Sequence, residues 1–198
     1  TGTCATVLSS LGAYVRMDGT YMGRNTLPMI EDFYKDKSVD ISPLHFDETF
    51  DGLEDYVIID SETRTPFGMF GKYFSDGKKR WSIPTETDIA QASVAAIDPF
   101  FNEESITAAK YCVGHGVPYV TIDCACDSYL HRNAAITIIS GEYISGNCND
   151  FSRKELFPMY AEQTEGLTII TNGSHEFFYG RKNSGMKTAV TFKVKTVS

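Results

Sequence analysis

Ser93-Val-Ala-Ala-Ile97, Pro118-Tyr-Val-Thr-Ile122, Ala134-Ala-Ile-Thr-Ile-Ile139 and Leu167-Thr-Ile-Ile-Thr171 are four short β-rich runs, and what separates them decides the fold. Between the first two, Glu103 to Cys112 carries Ile106, Ala109 and Tyr111 among polar residues. That spacing predicts a helix, which Gly114 and Gly116 would stop with a left-handed cap. Ser128 to Arg132 reads as a short helix or turn. Before the fourth run, Ser152-Arg153-Lys154-Glu155 has the form of a capping box, with Pro158 expected to kink the helix it opens or to mark its first turn. Parallel neighbours need a crossover of a dozen or so residues, and such crossovers cover the faces of a sheet. The run Ala134 to Ile139 is apolar throughout, as in a strand buried on both faces. The expected architecture is a three-layer α/β/α domain with a mainly parallel sheet.

Outward from this segment the pattern changes. Tyr56 to Asp60 and Arg64 to Phe70 alternate around turn residues, which predicts an antiparallel hairpin outside the parallel sheet, placed as a lid. His175 to Tyr179 and Thr188 to Lys195, joined through Arg181 to Gly185, predict a second hairpin extending one sheet edge. Asp76 to Gln91 has few apolar positions and contains Pro84, so a loop or crossover is expected there, with Trp81 packing the lid. No internal repeat is present.

At 198 residues, 22.0 kDa and 42% hydrophobic content, the chain suits one domain with a proper core. A formal charge of -8 and a pI near 5.0 argue against nucleic acid and anionic membranes as partners, and Lys78-Lys79-Arg80 beside Asp76-Gly77 reads as an exposed turn. No apolar run approaches the roughly 20 residues of a membrane span, and no signal-type segment opens the sequence. Five cysteines scattered among apolar runs suit reduced, mostly buried thiols in a cytoplasmic protein. Cys124-Ala125-Cys126 lacks a second pair and the Cys-x-x-Cys spacing, so it reads as small hydrophobes at a strand end rather than half a metal site.

In an open parallel sheet ligands bind beyond the carboxyl ends of the strands. That rule selects Asp98-Pro99, Asp123-Cys124, Ser140-Gly141-Glu142 and Thr171-Asn172-Gly173-Ser174. The same residue types are also common caps and turns, and both readings stand at this point. His115, between two glycines, reads as a helix-end residue, and His45, His131 and His175 have no ligand spacing with the cysteines. Neither a Gly-x-Ser-x-Gly elbow nor a Gly-x-Gly-x-x-Gly fingerprint occurs.

Thr171-Asn172-Gly173 after an apolar strand, followed by Phe177-Phe178-Tyr179, resembles the Thr-x-Gly segment of the ribokinase-like (PfkB) carbohydrate kinases, which lies along the ATP site. Thr1-Gly2-Thr3-Cys4-Ala5-Thr6 with Leu11-Gly12 resembles the family's amino-terminal glycine signature, which packs against the sugar. Gly19, Gly23 and Val39-Asp40-Ile41 resemble the stretch that follows it. Phe192 to Val197 resembles the strand leading into the family's Gly-Ala-Gly-Asp motif, before which the sequence stops at Ser198. Thr6 stands where the family carries a sugar-contacting Asn, about one helical turn closer to Leu11-Gly12 than usual. Ser140-Gly141-Glu142-Tyr143 falls at the Asn-x-x-Glu element, with Asn absent and Glu displaced by one position.

The resemblance implies ATP-dependent phosphorylation of a sugar or nucleoside hydroxyl, with ATP and Mg2+ as cofactors. It implies Gly2, Thr3 and Thr6 as substrate-binding residues, Ser140, Thr171 and Gly173 as nucleotide-binding residues, and Glu142 as the magnesium residue. No residue present matches the family's catalytic Asp. The chain 1–198 is expected to be one partial domain of a longer protein, with a lid near 56–70 and a homodimer formed through that lid. A non-catalytic sugar- or nucleotide-binding relative is the alternative, motivated by Thr6 and Ser140.

Overall fold

The computed structural model describes residues 2–60, 64–68 and 70–192. They fall into two compact units, 1–83 and 84–198. The first unit opens with α1 (Gly2–Ser10), β1 (Val15–Arg16), α2 (Thr26–Tyr34) and β2 (Val39–Asp40), with β1 and β2 paired in parallel, Val15 opposite Val39. Ala5, Tyr34 and Val39 form its small core, with Val15, Met17, Ile30 and Ile41 against them. The Tyr34 hydroxyl donates to Gly2 O at 3.0 Å and ties α2 to the start of α1. At Gly23 a Cβ would stand 2.2 Å from Gly52 N, so only glycine lets these two backbone segments meet.

The hairpin expected outside the sheet is present. β3 (Asp55–Ile59) pairs antiparallel with β4 (Arg64–Gly68), with Tyr56 opposite Phe67 and Ile58 opposite Thr65. Every residue of β3 is exposed. α3 (Phe70–Ser75) follows, and Trp81 lies against it, its ring 5.3 Å from Phe74 and 5.9 Å from Tyr73. Trp81 thus joins an aromatic cluster on α3.

In the second unit, α4 (Glu86–Ala90) precedes β5 (Ala95–Ile97), α5 (Glu103–His115), β6 (Tyr119–Ile122), α6 (Tyr129–Asn133) and β7 (Ile136–Ile139). Then come α7 (Gly141–Asn147), α8 (Arg153–Ala161), β8 (Leu167–Ile170), β9 (Phe177–Gly180) and β10 (Lys187–Ala189). The six strands lie in the order β10-β9-β8-β7-β6-β5. β5 to β8 are parallel, and β9 and β10 continue the sheet antiparallel. The four quoted runs are therefore the four parallel strands, in chain order. The second hairpin extends the edge as expected, although its share of residues 193–195 lies outside the described residues.

Local chemistry explains the crossovers. Gly116 takes φ +67 as the left-handed cap of α5. Ser128 caps α6, accepting from His131 N at 3.1 Å. Ser152 and Glu155 form the full capping box of α8. Pro158 sits beyond the first turn of α8, and the helix continues past it to Ala161. α4 replaces part of the loop expected over 76–91. Thr85 caps it, accepting from Asp88 N at 3.3 Å, and Ile89 is its buried residue.

Two apolar clusters fill this unit. One gathers Ile97, Ala109, Cys112, Tyr119 and Leu130 around α5, and the other gathers Ile139, Leu156, Phe157, Tyr160 and Ile170 around α8. Thr137, Ile139, Thr168 and Ile170 are fully buried, whereas Ile136 and Ile138 are half-buried, so β7 is less enclosed than its apolar run suggested. Gly166 is required where β8 begins, since a Cβ there would stand 2.1 Å from Ala134 O.

Candidate active site at the carboxyl edge of the parallel sheet

Each parallel strand ends in a polar group with a defined task. After β5, Asp98 accepts from Phe100 N at 3.1 Å and caps a short 3-10 turn. After β6, Asp123 takes φ +42, a conformation Asp tolerates better than most residues. Its Oδ1 accepts from Ser140 N at 2.7 Å, and its Oδ2 accepts from Ser140 Oγ at 3.0 Å. Ser140 Oγ in turn accepts from Tyr143 N at 3.0 Å and so caps α7. The loop after β6 and the end of β7 are thereby clasped, and Ser140's hydroxyl is fully used in holding them. Glu142 lies exposed in the first turn of α7.

After β8, Thr171 N donates to Ile139 O at 2.9 Å, with its hydroxyl at 3.4 Å from the same oxygen. Gly173 takes φ +57, and no atom lies within 4 Å of the place a Cβ would occupy. The turn therefore leaves open space against bare backbone. It opens on a cleft of about 710 Å³ lined by Asn172, Ser174, His175, Glu176, Val190 and Thr191. Thr191 Oγ1 donates to Ser174 O at 2.6 Å and fixes one wall to the other.

Ser140, Glu142, Thr171 and Gly173 are thus brought together by the adjacency of β7 and β8. Gly2, Thr3 and Thr6 share α1 in the first unit, with Gly2 and Thr3 exposed. The Thr6 hydroxyl donates to Gly2 O at 2.9 Å, the same carbonyl that Tyr34 engages.

Other singled-out residues have structural partners. His131 is fully buried, with Nδ1 2.9 Å from Thr137 Oγ1 and Nε2 2.9 Å from Tyr160 O. The carbonyl can only accept, so Nε2 carries the proton and Nδ1 accepts from Thr137. Burial holds the ring's pKa below the ordinary histidine value. His115 Nε2 lies 2.8 Å from Glu86 Oε1. Cys112 and Cys124 are buried, and that burial pushes both thiols up, away from the reactive thiolate. Among the described residues no group of three His, Cys, Asp or Glu could hold a metal ion by itself, and no helix is long and apolar enough to cross a membrane. Sequence reasoning placed Asp123 at a strand end without its clasp on Ser140, because the two are 17 residues apart and meet only through the pairing of β6 and β7.

No protein-family model matches the chain, and no curated protein matches its sequence. Solved structures do match. Halothermothrix orenii fructokinase superposes with a TM-score of 0.77 at 14% identity, covering 95% of this chain and 72% of that one. A Burkholderia thailandensis nucleoside kinase in complex with inosine gives 0.69 at 14% identity over 99% of this chain. A putative ribokinase II from E. coli in complex with ATP and Mg2+ gives 0.71 at 11% identity, covering 96% of this chain and 66% of that one. The chain spans 64% of the length of the Burkholderia kinase. With a parallel β5–β8 sheet, helical crossovers and an antiparallel extension, and with superpositions that cover 94–99% of it, the chain has the ribokinase-like fold of the PfkB sugar and nucleoside kinases.

Proposed function

We propose that the protein transfers a phosphoryl group from ATP to a hydroxyl of a sugar or nucleoside, with magnesium and without a covalent enzyme intermediate. One observation carries the reading: the Ser140–Glu142 and Thr171–Gly173 turns follow adjacent parallel strands at the carboxyl edge, and the second of them runs into the cleft lined by Asn172, Ser174, His175 and Glu176. Phosphoryl transfer depends mainly on positioning and charge stabilisation, which such an edge can supply. ATP fits there because Gly173 presents backbone without a side chain to obstruct a ligand. Bound ATP supplies the phosphoryl donor. Thr171 and Gly173 flank Asn172, which lines the cleft, and are assigned to the nucleotide, while Ser140, clasped by Asp123, holds α7 and its exposed Glu142 in place. A magnesium ion held by one carboxylate and phosphate oxygens suits Glu142 better than a cage built wholly of protein groups would. For the acceptor, the reading assigns Gly2, Thr3 and Thr6 on α1 as residues that bind the sugar or nucleoside. No Gly-Ala-Gly-Asp segment occurs in the sequence, and no residue is assigned as the general base.

In this reading the chain 1–198 is part of one ribokinase-like domain, the β3–β4 hairpin is its lid, the protein is cytoplasmic, and two copies associate through the lid. A second reading, a non-catalytic relative that binds sugar or nucleotide, draws support from the Thr6 hydroxyl. That group is occupied within its own helix rather than presented as an Asn amide would be. ADP release by the full-length protein, coupled to a chromogenic readout across a panel of sugars and nucleosides, separates the two. Acceptor-dependent ADP release is expected. Saturable sugar binding with no ADP release would instead establish the second reading.

A further inference from the structure

Arg153 is the first residue of α8, the end of a helix where a cation is disfavoured by the backbone dipole. Its charge is therefore not placed for the helix. Nor is it placed for a carboxylate, since among the described residues no ion pair engages it, and Asp123 is already committed to Ser140. The Arg153 Nε is buried and, among the described residues, has no hydrogen-bond partner. An unsatisfied buried donor on a charged group is costly, so its retention calls for an acceptor that arrives from outside. The guanidinium lies over the carboxyl edge. The point where a Cβ on Gly141 would stand is 3.0 Å from Arg153 Nη2 and 3.7 Å from Thr171 O. Gly141 thus leaves just enough room for the guanidinium beside both turns of the candidate site.

We propose that Arg153 binds the phosphate chain of the nucleotide, its planar fork taking the phosphate oxygens that the half-desolvated guanidinium lacks in the free protein. Phosphate is the chemistry this group fits best: several acceptor oxygens, negative charge and a geometry that matches two N–H donors at once. Neighbouring Asp123 and Glu142 would repel a bare anion, whereas a nucleotide triphosphate brings magnesium to offset them. The contact rests on the nucleotide reading above, and it adds to that reading a cation the sequence presented only as part of a capping box.

Isothermal titration of the protein with ATP–Mg2+, ADP and adenosine tests it, alongside Arg153→Gln, Arg153→Lys and Gly141→Ala. Arg153→Gln is expected to weaken ATP about ten-fold or more while leaving adenosine within about two-fold, with Arg153→Lys recovering part of the loss. Gly141→Ala should act in the same direction, because its Cβ displaces the guanidinium. Thermal unfolding without ligand controls for folding: a guanidinium with an unpaired buried donor contributes little to the free protein, so Arg153→Gln should melt no lower than wild type. Equal ATP affinity in wild type and Arg153→Gln overturns the proposal and leaves the nucleotide reading intact. A parallel loss of ATP and adenosine binding with a lowered melting temperature also overturns it, in favour of a structural role. Absence of nucleotide binding by the wild type overturns both.

Discussion

His131, which has no ligand spacing with the cysteines in sequence, is a fully buried core residue. Its two nitrogens join β7 to α8 through Thr137 and the Tyr160 carbonyl, and burial keeps it neutral in the folded protein. The sign of the linkage follows. The unfolded chain takes up a proton near pH 6.5 and the folded chain only at lower pH, so this contribution to stability is present above about pH 6.5 and lost as the pH falls below it. Thermal unfolding from about pH 7.5 to pH 5 is expected to show a falling midpoint below pH 6.5. Gln at position 131, which can keep a donor on the carbonyl and an acceptor for Thr137 without titrating, should flatten that fall. An unchanged slope in His131→Gln would assign the acid sensitivity elsewhere. At this scale Asp123 and Arg153 were the residues least legible in sequence. Asp123 needs a positive φ and a partner on the neighbouring strand, and the role of Arg153 depends on the missing Cβ of Gly141.

Among elements, the parallel strands were legible because each is a short apolar run flanked by local punctuation: Gly116 after α5, Ser128 before α6, Ser152 and Glu155 at α8. Helix α4 was not, since only Ile89 of its five residues is buried and nothing in so short a segment reveals helical periodicity. The signal available was Thr85 three residues before Asp88, a cap and the residue whose N–H donates to it. The β3–β4 hairpin was legible as a hairpin, and its surroundings give it a further meaning. Tyr56, Val57, Ile58, Ile59 and Phe67 are at least half exposed, which leaves apolar side chains in water on a two-stranded sheet that is marginal alone. Association of two copies through this hairpin would cover them. Sedimentation velocity at micromolar concentration is expected to show a dimer that Ile58→Lys converts to monomer. A monomeric wild type at the same concentration would remove the lid contact from the account.

For the whole molecule, sequence and structure agree on the α/β class, because alternation of strand and crossover is encoded residue by residue, and the likeness to fructokinase and nucleoside kinase structures covers nearly all of the chain. The division into units 1–83 and 84–198 was not legible, since no Pro- or Gly-rich linker marks residue 83 and the first unit's core is only a few residues deep. The function proposed depends on one place, the carboxyl edge where the ends of β7 and β8 meet. Amide hydrogen exchange with and without ATP–Mg2+ tests that placement most directly, because protection reports where a ligand orders or covers backbone. The expected result is ligand-induced protection centred on Ser140–Tyr143 and Thr171–Glu176, with the buried strands β6 to β8 unchanged. Saturating ATP–Mg2+ that leaves both segments unprotected, or protects the chain elsewhere, would contradict a nucleotide site at this edge.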